Sequence, residues 1–464
     1  LRDGVDAKKE GIPLKRAYGS DFPYRPVSGA TVFESTNCGL KPSYAQGGLS
    51  NVWGAALMPY CQSDVEDWPV TLQQLAPFYS EVFDFLPLAG AADGLADDFP
   101  LYTQSPVDFP MSNQAKSLLT HLSARKGALK KSGIQFGKAR TAVRASSKGR
   151  SCVRCGNCMY GCPHELIYFS GATLQDLCGL PNFTYIPGYC VRRVDETGGA
   201  VKILATNVET KDSHTFMAER VFLACGVLET TAILLRSLAM YSVEVALKDS
   251  QYFLLPILRT SGTPGVRVEQ LHTLAQLFVE INDERVSPFT VHLQTYTYNE
   301  LFEVPVRAAL GPLSQIFPTQ GLLSRLLLFQ GYLHSAHSGT LRLVLSNSSG
   351  EEVMSVNGQS NPEAKVILRK VIRKLLSEAT RIGVFPLLPL TKMGEPGRGF
   401  HSGGSFPMRR RPNAGEADVY GRPYGFQRVH AVDATVFPSV PATTITLTAM
   451  ANAARIGAEW EQCA

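Results

Sequence analysis

The stretch Val429–Ala454, VHAVDATVFPSVPATTITLTAMANAA, constrains the local fold more tightly than any other part of the chain. A strand-like start around Val429, Ala431 and Val432 runs to an acid, Asp433, and then into Pro438 and Pro441. Beyond Thr443 and Thr444 the apolar residues Leu447, Met450, Ala451 and Ala454 recur at three- and four-residue spacing, which predicts a helix. A strand that ends in an acid and turns through threonines into a helix N-terminus suits a phosphorylated ligand. Free amide hydrogens and the helix dipole favour anionic or electron-rich groups there. A ligand-free packed corner reads the same way, so this stretch alone does not assign a function.

Two other stretches add to it. In Gly47-Gly48-Leu49-Ser50-Asn51-Val52-Trp53-Gly54 the paired glycines let the backbone pass close to a flat ligand. Trp53 and Asn51 can then pack on, and hydrogen-bond near, its edge. In Phe400-His401-Ser402-Gly403-Gly404-Ser405-Phe406-Pro407-Met408 a histidine precedes small residues that leave room for a substrate. Together the three stretches resemble the glucose–methanol–choline family of flavoenzymes. Its members end with an HxxGT-like segment, a "VxDaSvfP" strand and a Thr-rich turn into the last helix. Val221-Phe222-Leu223-Ala224-Cys225-Gly226, followed by a helix over 229–237, is similar to a fourth feature of that family, which packs beside the dinucleotide.

The resemblance implies FAD as cofactor and oxidation of an alcohol to a carbonyl. It places Gly47, Gly48, Ser50, Asn51, Trp53, Val191, Gly226, Asp433, Ala434 and Thr446 around the flavin nucleotide. Such a reaction needs a base for the hydroxyl proton and an acceptor for hydride from the same carbon. Of nine histidines, His401 alone falls on the family's catalytic position. The family's second His or Asn is replaced by Thr444, whose hydroxyl hydrogen-bonds well and is a poor base at neutral pH.

A dinucleotide-binding fold normally shows G-x-G-x-x-G between its first strand and helix, and nothing in residues 1–60 fits that pattern. The expectation is therefore a chain lacking the N-terminal glycine-rich βαβ unit, with Asp3 a candidate remnant of its ribose-binding acid.

Cys152-x-x-Cys155-x-x-Cys158-x-x-x-Cys162-Pro163 matches the bacterial ferredoxin spacing for a [4Fe–4S] cluster. Zinc sites draw their ligands as two pairs separated by a longer loop, so these spacings suit zinc poorly. Disulfides need an oxidising compartment, which nothing here indicates. In two-cluster ferredoxins the cysteine before proline serves the other cluster, and no second run exists here. The fourth iron thus needs Cys162 in another geometry, a distant thiol such as Cys178, or is absent. A cluster would pass electrons singly to an acceptor protein and make the enzyme a dehydrogenase.

At 464 residues two domains are expected. A hydrophobic content of 44% with 18% charged residues describes a folded chain rather than a disordered one. Basic residues gather at Lys138–Arg154 and Arg409–Arg411 without the aromatic pattern of a nucleic-acid module, so no such partner is expected. No apolar run approaches the roughly 20 residues that span a bilayer, and the expected compartment is the cytoplasm.

Thr71 with Gln74 makes a capping box ahead of a helix, a second helix is predicted over 113–131, and another over 170–178. Strands are predicted over 201–206 and 215–225, with a hairpin turn at 196–199. From about 250 to 358, strands at 278–281, 289–298, 326–335, 340–346 and 353–357 predict one mostly antiparallel sheet. Asn361-Pro362 then opens a helix whose stripe is Val366, Ile367, Val371, Leu375, Ala379 and Ile382. The expected fold is α/β: an incomplete Rossmann-type FAD-binding domain (1–70, 140–245, 415–464) with an antiparallel-sheet substrate domain (71–139, 246–414). Two rival readings remain: an iron–sulfur electron-transfer protein, and a truncated, non-catalytic relative unable to hold FAD.

Overall fold

The computed structural model describes residues 14–104, 106–145, 151–311, 319–348 and 351–460. Asp3 lies outside them.

In chain order, strand β1 (Val32–Thr36) is followed by helices α1 (Leu72–Val82), α2 (Asn113–Ser123) and α3 (Lys126–Lys131) and strand β2 (Ile134–Lys138). Helix α4 (Ser170–Leu177) precedes strands β3 (Tyr189–Thr197), β4 (Ala200–Asn207), β5 (Ser213–Ala218) and β6 (Val221–Leu223) and helix α5 (Val227–Ser237). Strands β7 (Glu244–Asp249), β8 (Tyr252–Arg259), β9 (Leu277–Ile281) and β10 (Val291–Tyr296) lead to helices α6 (Glu303–Leu310) and α7 (Thr319–Leu323). Then come β11 (Leu326–Tyr332), β12 (Thr340–Ser348), β13 (Glu351–Gln359), α8 (Pro362–Ser377) and α9 (Ala379–Ile382). Short strands β14 (Val384–Pro386), β15 (Lys392–Met393), β16 (Ser402–Gly403) and β17 (Val429–Ala431) precede helix α10 (Ile445–Glu459).

The caps form as their sequences dictate. Thr71 accepts from the Gln74 amide and Gln74 returns the bond to Thr71, while Asn361 accepts from Glu363 with Pro362 at the first helical position. The helix predicted over 113–131 breaks at Ala124–Arg125, where the Arg125 guanidinium takes up the freed His121 carbonyl. In α8, Ile367, Val371 and Leu375 are buried as the stripe requires; Val366, one residue round the helix, is 45% exposed.

The strands between 250 and 360 divide between two sheets instead of forming one. A seven-stranded antiparallel sheet runs β14-β8-β11-β10-β9-β2, with β15 also on β8. The β12–β13 hairpin leaves it, and pairs with β7 on one side and, in parallel, with β1 on the other. A short helical turn at Ser335–His337 redirects the chain between them. The region expected as one strand over 215–225 is likewise two: β5 belongs to an antiparallel β3-β4-β5 sheet and β6 pairs in parallel with β17.

The seven-stranded sheet has two unlike faces, because successive side chains alternate. One face carries Phe253, Leu255, Ile257, Val279, Leu293, Leu327 and Phe329, which share an apolar core with residues of α2 and α8. The other carries Tyr252, Glu280, His292, Gln294, Tyr296, Gln330 and Tyr332, brought side by side by the strand register.

Candidate active site

Three separate segments converge on that polar face. At the end of the glycine loop, a Cβ on Gly54 would lie 3.7 Å from the Tyr296 hydroxyl. In the turn before α10, Ala442 packs with Tyr252 and Tyr332. His401 stacks on Tyr332, with ring centroids 4.6 Å apart and planes at 16°. The 400–408 and 429–444 stretches also pack on each other directly. The backbone N–H groups of Gly404, Phe406 and Met408 donate to the carbonyls of Ala434, Thr435 and Val436. A Cβ on Gly403 would meet the Ala434 oxygen at 2.5 Å, so only glycine lets the two segments approach this closely.

His401 is held by β16, whose partner β7 receives Ser402 and Gly403, and by its carbonyl, which accepts from the Ser250 amide at 2.8 Å. Phe400 just before it has a φ of 56°, a left-handed conformation that a bulky residue adopts only when its surroundings impose it. The His401 ring is half-buried, and its Nδ1 is buried with no hydrogen-bond partner among the described residues. Burial, and secondarily nearby His292, lowers its pKa to about 4, so at neutral pH the imidazole is uncharged with a lone pair to offer.

Thr444 is buried and stands at the N-cap of α10. Its hydroxyl donates to the Met58 carbonyl at 3.4 Å, a long bond that occupies its one proton. Next to it, the Thr443 hydroxyl approaches Asp64 at 3.5 Å, whose carboxyl is pushed up to about 6 by burial.

The residues expected around the nucleotide form two groups. Gly47 has φ 83° and packs against Phe169 and Gly171; Gly48 faces open space. Ser50 Oγ contacts Ser170 Oγ at 3.1 Å, Asn51 donates to the Gln46 and Gly48 carbonyls, and Trp53 Nε1 donates to the Tyr168 carbonyl at 2.8 Å. Asn51 and Trp53 thus spend their donors on the loop itself and its neighbour. In the second group, half-buried Asp433 accepts from Thr230 Oγ1 at 2.5 Å and from the Thr435 amide at 2.9 Å, and burial raises its carboxyl. A backbone bond from Gly226 reaches the same acid. Ala434 supplies the carbonyl described above. Thr446 lies half-exposed in the first turn of α10, and half-buried Val191 sits in β3 beside a register shift.

These features fit a nucleotide cofactor. Ala224, Cys225 and Gly226 leave the carboxyl end of β6 exposed, and ligands of open α/β sheets sit outside such ends. A Cβ on Gly226 would meet nothing within 4 Å, and α5 starts there with its free amides.

No family model matches the sequence, and no curated protein matches it. Solved structures do. A pyridoxine 4-oxidase from Mesorbium loti superposes with a TM-score of 0.61 at 15% identity, covering 96% of this chain and 89% of that one. An FAD-dependent oxidoreductase from Chaetomium thermophilum gives 0.61 at 13% identity over 99% and 94%, and a formate oxidase 0.60 at 15% over 96% and 90%. The chain has the fold of these oxidoreductases. The agreement runs through nearly the whole chain.

The cysteine run lies apart from that face. Cys152, Cys155, Cys158 and Cys162 all line one cavity of about 20 Å³ walled by Phe109, Leu166 and Leu274. Backbone amides of Arg154, Thr273 and Leu166 donate to the sulfurs of Cys152, Cys158 and Cys162 at 3.4–3.5 Å. Burial raises Cys152 and Cys158 and lowers Lys15, whose amine is affected by Cys158 and Cys162, to about 8. The donor set is suited to a soft metal. The volume admits about one water-sized guest, so a four-iron cluster requires this loop to open around it. Among the described residues, no group of three or more His, Cys, Asp or Glu stands in metal-holding geometry.

Sequence reasoning missed His292, Glu280 and Tyr332, which share the polar face with His401. The signal was there in outline: in VHLQTY every second residue is polar or aromatic, and Glu280 interrupts the apolar run LFVEI.

Proposed function

We propose that this chain is an FAD-dependent oxidoreductase of the glucose–methanol–choline type that oxidises a CH–OH group to a carbonyl. The observation that carries the reading is His401: a neutral imidazole with an unpartnered Nδ1, placed where the glycine loop, the Thr-rich turn and the polar sheet face converge. The solved structures sharing its fold include proteins named as a pyridoxine 4-oxidase, a formate oxidase and an FAD-dependent oxidoreductase, which supports the same class.

Bound FAD supplies the acceptor for the hydride that leaves the alcohol carbon. His401 Nδ1 takes the hydroxyl proton, and stacking on Tyr332 fixes the ring plane while the Ser250 bond fixes the backbone. Asp433, Ala434 and Thr446 on one side, and Gly47, Gly48, Ser50, Asn51 and Trp53 on the other, are the residues that would hold the cofactor, with Gly226 and Val191 toward its nucleotide end. Thr444 is a supporting residue, since its proton is already committed to Met58.

The test is anaerobic mixing of flavin-loaded protein with primary alcohols, sugars, pyridoxine and formate, followed by flavin absorbance. Bleaching by an alcohol, lost in His401→Ala with flavin content unchanged and retained in Thr444→Ala, is the expected result. Equal losses in both variants would remove the assigned roles. Protein that releases no flavin on unfolding would favour the non-catalytic reading.

A second reading draws on the four cysteines that line one cavity: with the loop opened around it, Cys152, Cys155, Cys158 and Cys162 would hold an iron–sulfur cluster, which would supply one-electron transfer to an acceptor protein. Iron and sulfide analysis of anaerobically purified protein tests it; zinc without iron would rule it out.

A further inference from the structure

The polar sheet face against which His401 packs carries an imidazole of its own. His292 on β10 and Glu280 on β9 stand opposite each other in the ladder, and both have no exposed surface. His292 Nδ1 lies 2.6 Å from Glu280 Oε1. Its ring is 6.1 Å from the Tyr332 ring, the same ring on which His401 stacks. His292 Nε2 and Glu280 Oε2 are buried with no partner among the described residues, as is His401 Nδ1. Leaving one buried polar group unpaired costs about 1–3 kcal/mol. Three such groups, two on this sheet face and one packed against it, mark a place built to receive hydrogen-bonding groups from a ligand.

A neutral imidazole that donates its Nδ1–H to a carboxylate has its tautomer fixed, with Nε2 left as a lone pair. The face then presents two nitrogen acceptors, one on His401 and one on His292. One hydroxyl satisfies only one of them.

We propose that His292, oriented by Glu280, accepts a hydrogen bond from a second substrate hydroxyl, and that the alcohol oxidised here is a diol or polyol. The inference rests on the alcohol-oxidation reading. His401 takes the proton of the hydroxyl being oxidised, and the neighbouring hydroxyl anchors to His292 Nε2. Glu280 is a positioning residue: it holds the ring and its tautomer and touches no reacting atom. The face also has Gln294 and Gln330, whose amides bond to the Tyr296 and Tyr332 hydroxyls and leave further polar capacity for a hydroxylated ligand.

The experiment compares matched pairs, propanol with propylene glycol and benzyl alcohol with salicyl alcohol, by anaerobic reduction of the flavin-loaded protein. The wild type should favour the second member of each pair in kcat/KM by roughly 10-fold, the worth of one good hydrogen bond. That preference should vanish in His292→Gln and shrink in Glu280→Gln. A second readout needs no turnover: in protein labelled with nitrogen-15 histidine, the His292 Nε2 signal, assigned by through-space contact of its ring protons with the Tyr332 ring, should be of the unprotonated type and move when ethylene glycol is added. Equal reduction by both members, or a preference surviving in His292→Gln, overturns the inference and leaves alcohol oxidation standing. Reduction by no alcohol at all overturns both. If neither variant folds, a protonated or unmoved Nε2 in the wild type overturns the inference by itself.

Discussion

Asp249 lets the stability of the segment carrying His401 be tested through pH. It ends β7 with no exposed surface, and its two oxygens accept from the Gly397 amide and the Ser402 hydroxyl, each at 2.9 Å. Ser402 directly follows His401. Burial pushes the Asp249 carboxyl from its ordinary 3.8 up to about 7, against the smaller downward pull of those two bonds. The unfolded carboxyl ionises near pH 4, so between about pH 4 and 7 the folded state keeps a proton that the unfolded state has lost. This contribution is therefore complete below pH 4, declines as pH rises through 7 and is level once the folded carboxyl has also ionised. Three pKa units at about 1.4 kcal/mol each give a span of up to ~4 kcal/mol. Asp249→Asn keeps the shape, still accepts from Gly397, offers an N–H to Ser402, and has no charge to bury. Urea unfolding of both proteins at pH 4.5 and 8 should show the variant gaining a few kcal/mol on the wild type at the higher pH. Asp64, also raised by burial, is present in both proteins and cancels in the comparison. Parallel profiles would show that the Asp249 carboxyl is not protonated in the folded protein, and the reasoning would be refuted.

Gly403→Ala should cost about 1–3 kcal/mol of stability by chemical denaturation, because its Cβ meets the Ala434 backbone oxygen, not a flexible side chain. Gly457→Ala in α10 has open space around its Cβ and should stabilise by up to ~1 kcal/mol; a loss there would contradict the open space at that position. With the His401 pKa at about 4, the rate of flavin reduction should stay flat from neutral pH down to about 5 and fall only near 4. A limb near 6.5 in stopped-flow traces would place the ring in a more solvated setting than the structure does.

What the sequence disclosed follows from the range of the forces involved. Capping at Thr71 and Asn361, the hairpin turn at Gly198-Gly199 and the helical period of α8 and α10 are local, and local chemistry sets them. The division of strands between two sheets is not. Nothing in the alternation of Thr340–Ser348 says that its partners will be β7 and β13 in place of β11. The same limit hid half of the candidate site. His401 stands in a motif, whereas His292 and Glu280 come together only through the register of β9 against β10. Each was visible as a polar residue in an apolar strand, but their common destination was not.

The pairing of β6 with β17 has a consequence for how the molecule is made. Thr230, just past β6, and Asp433, just past β17, are 203 residues apart yet share a hydrogen bond. At roughly 5–20 residues per second, the ribosome delivers the second strand about 10–40 s after the first. Throughout that interval Val221–Leu223 lacks the parallel neighbour that β17 supplies, and even in the finished fold Phe222 stays 41% exposed. A nascent chain in that state offers chaperones an unpaired, apolar strand edge, and slowing translation between the two strands should lower the yield of folded protein.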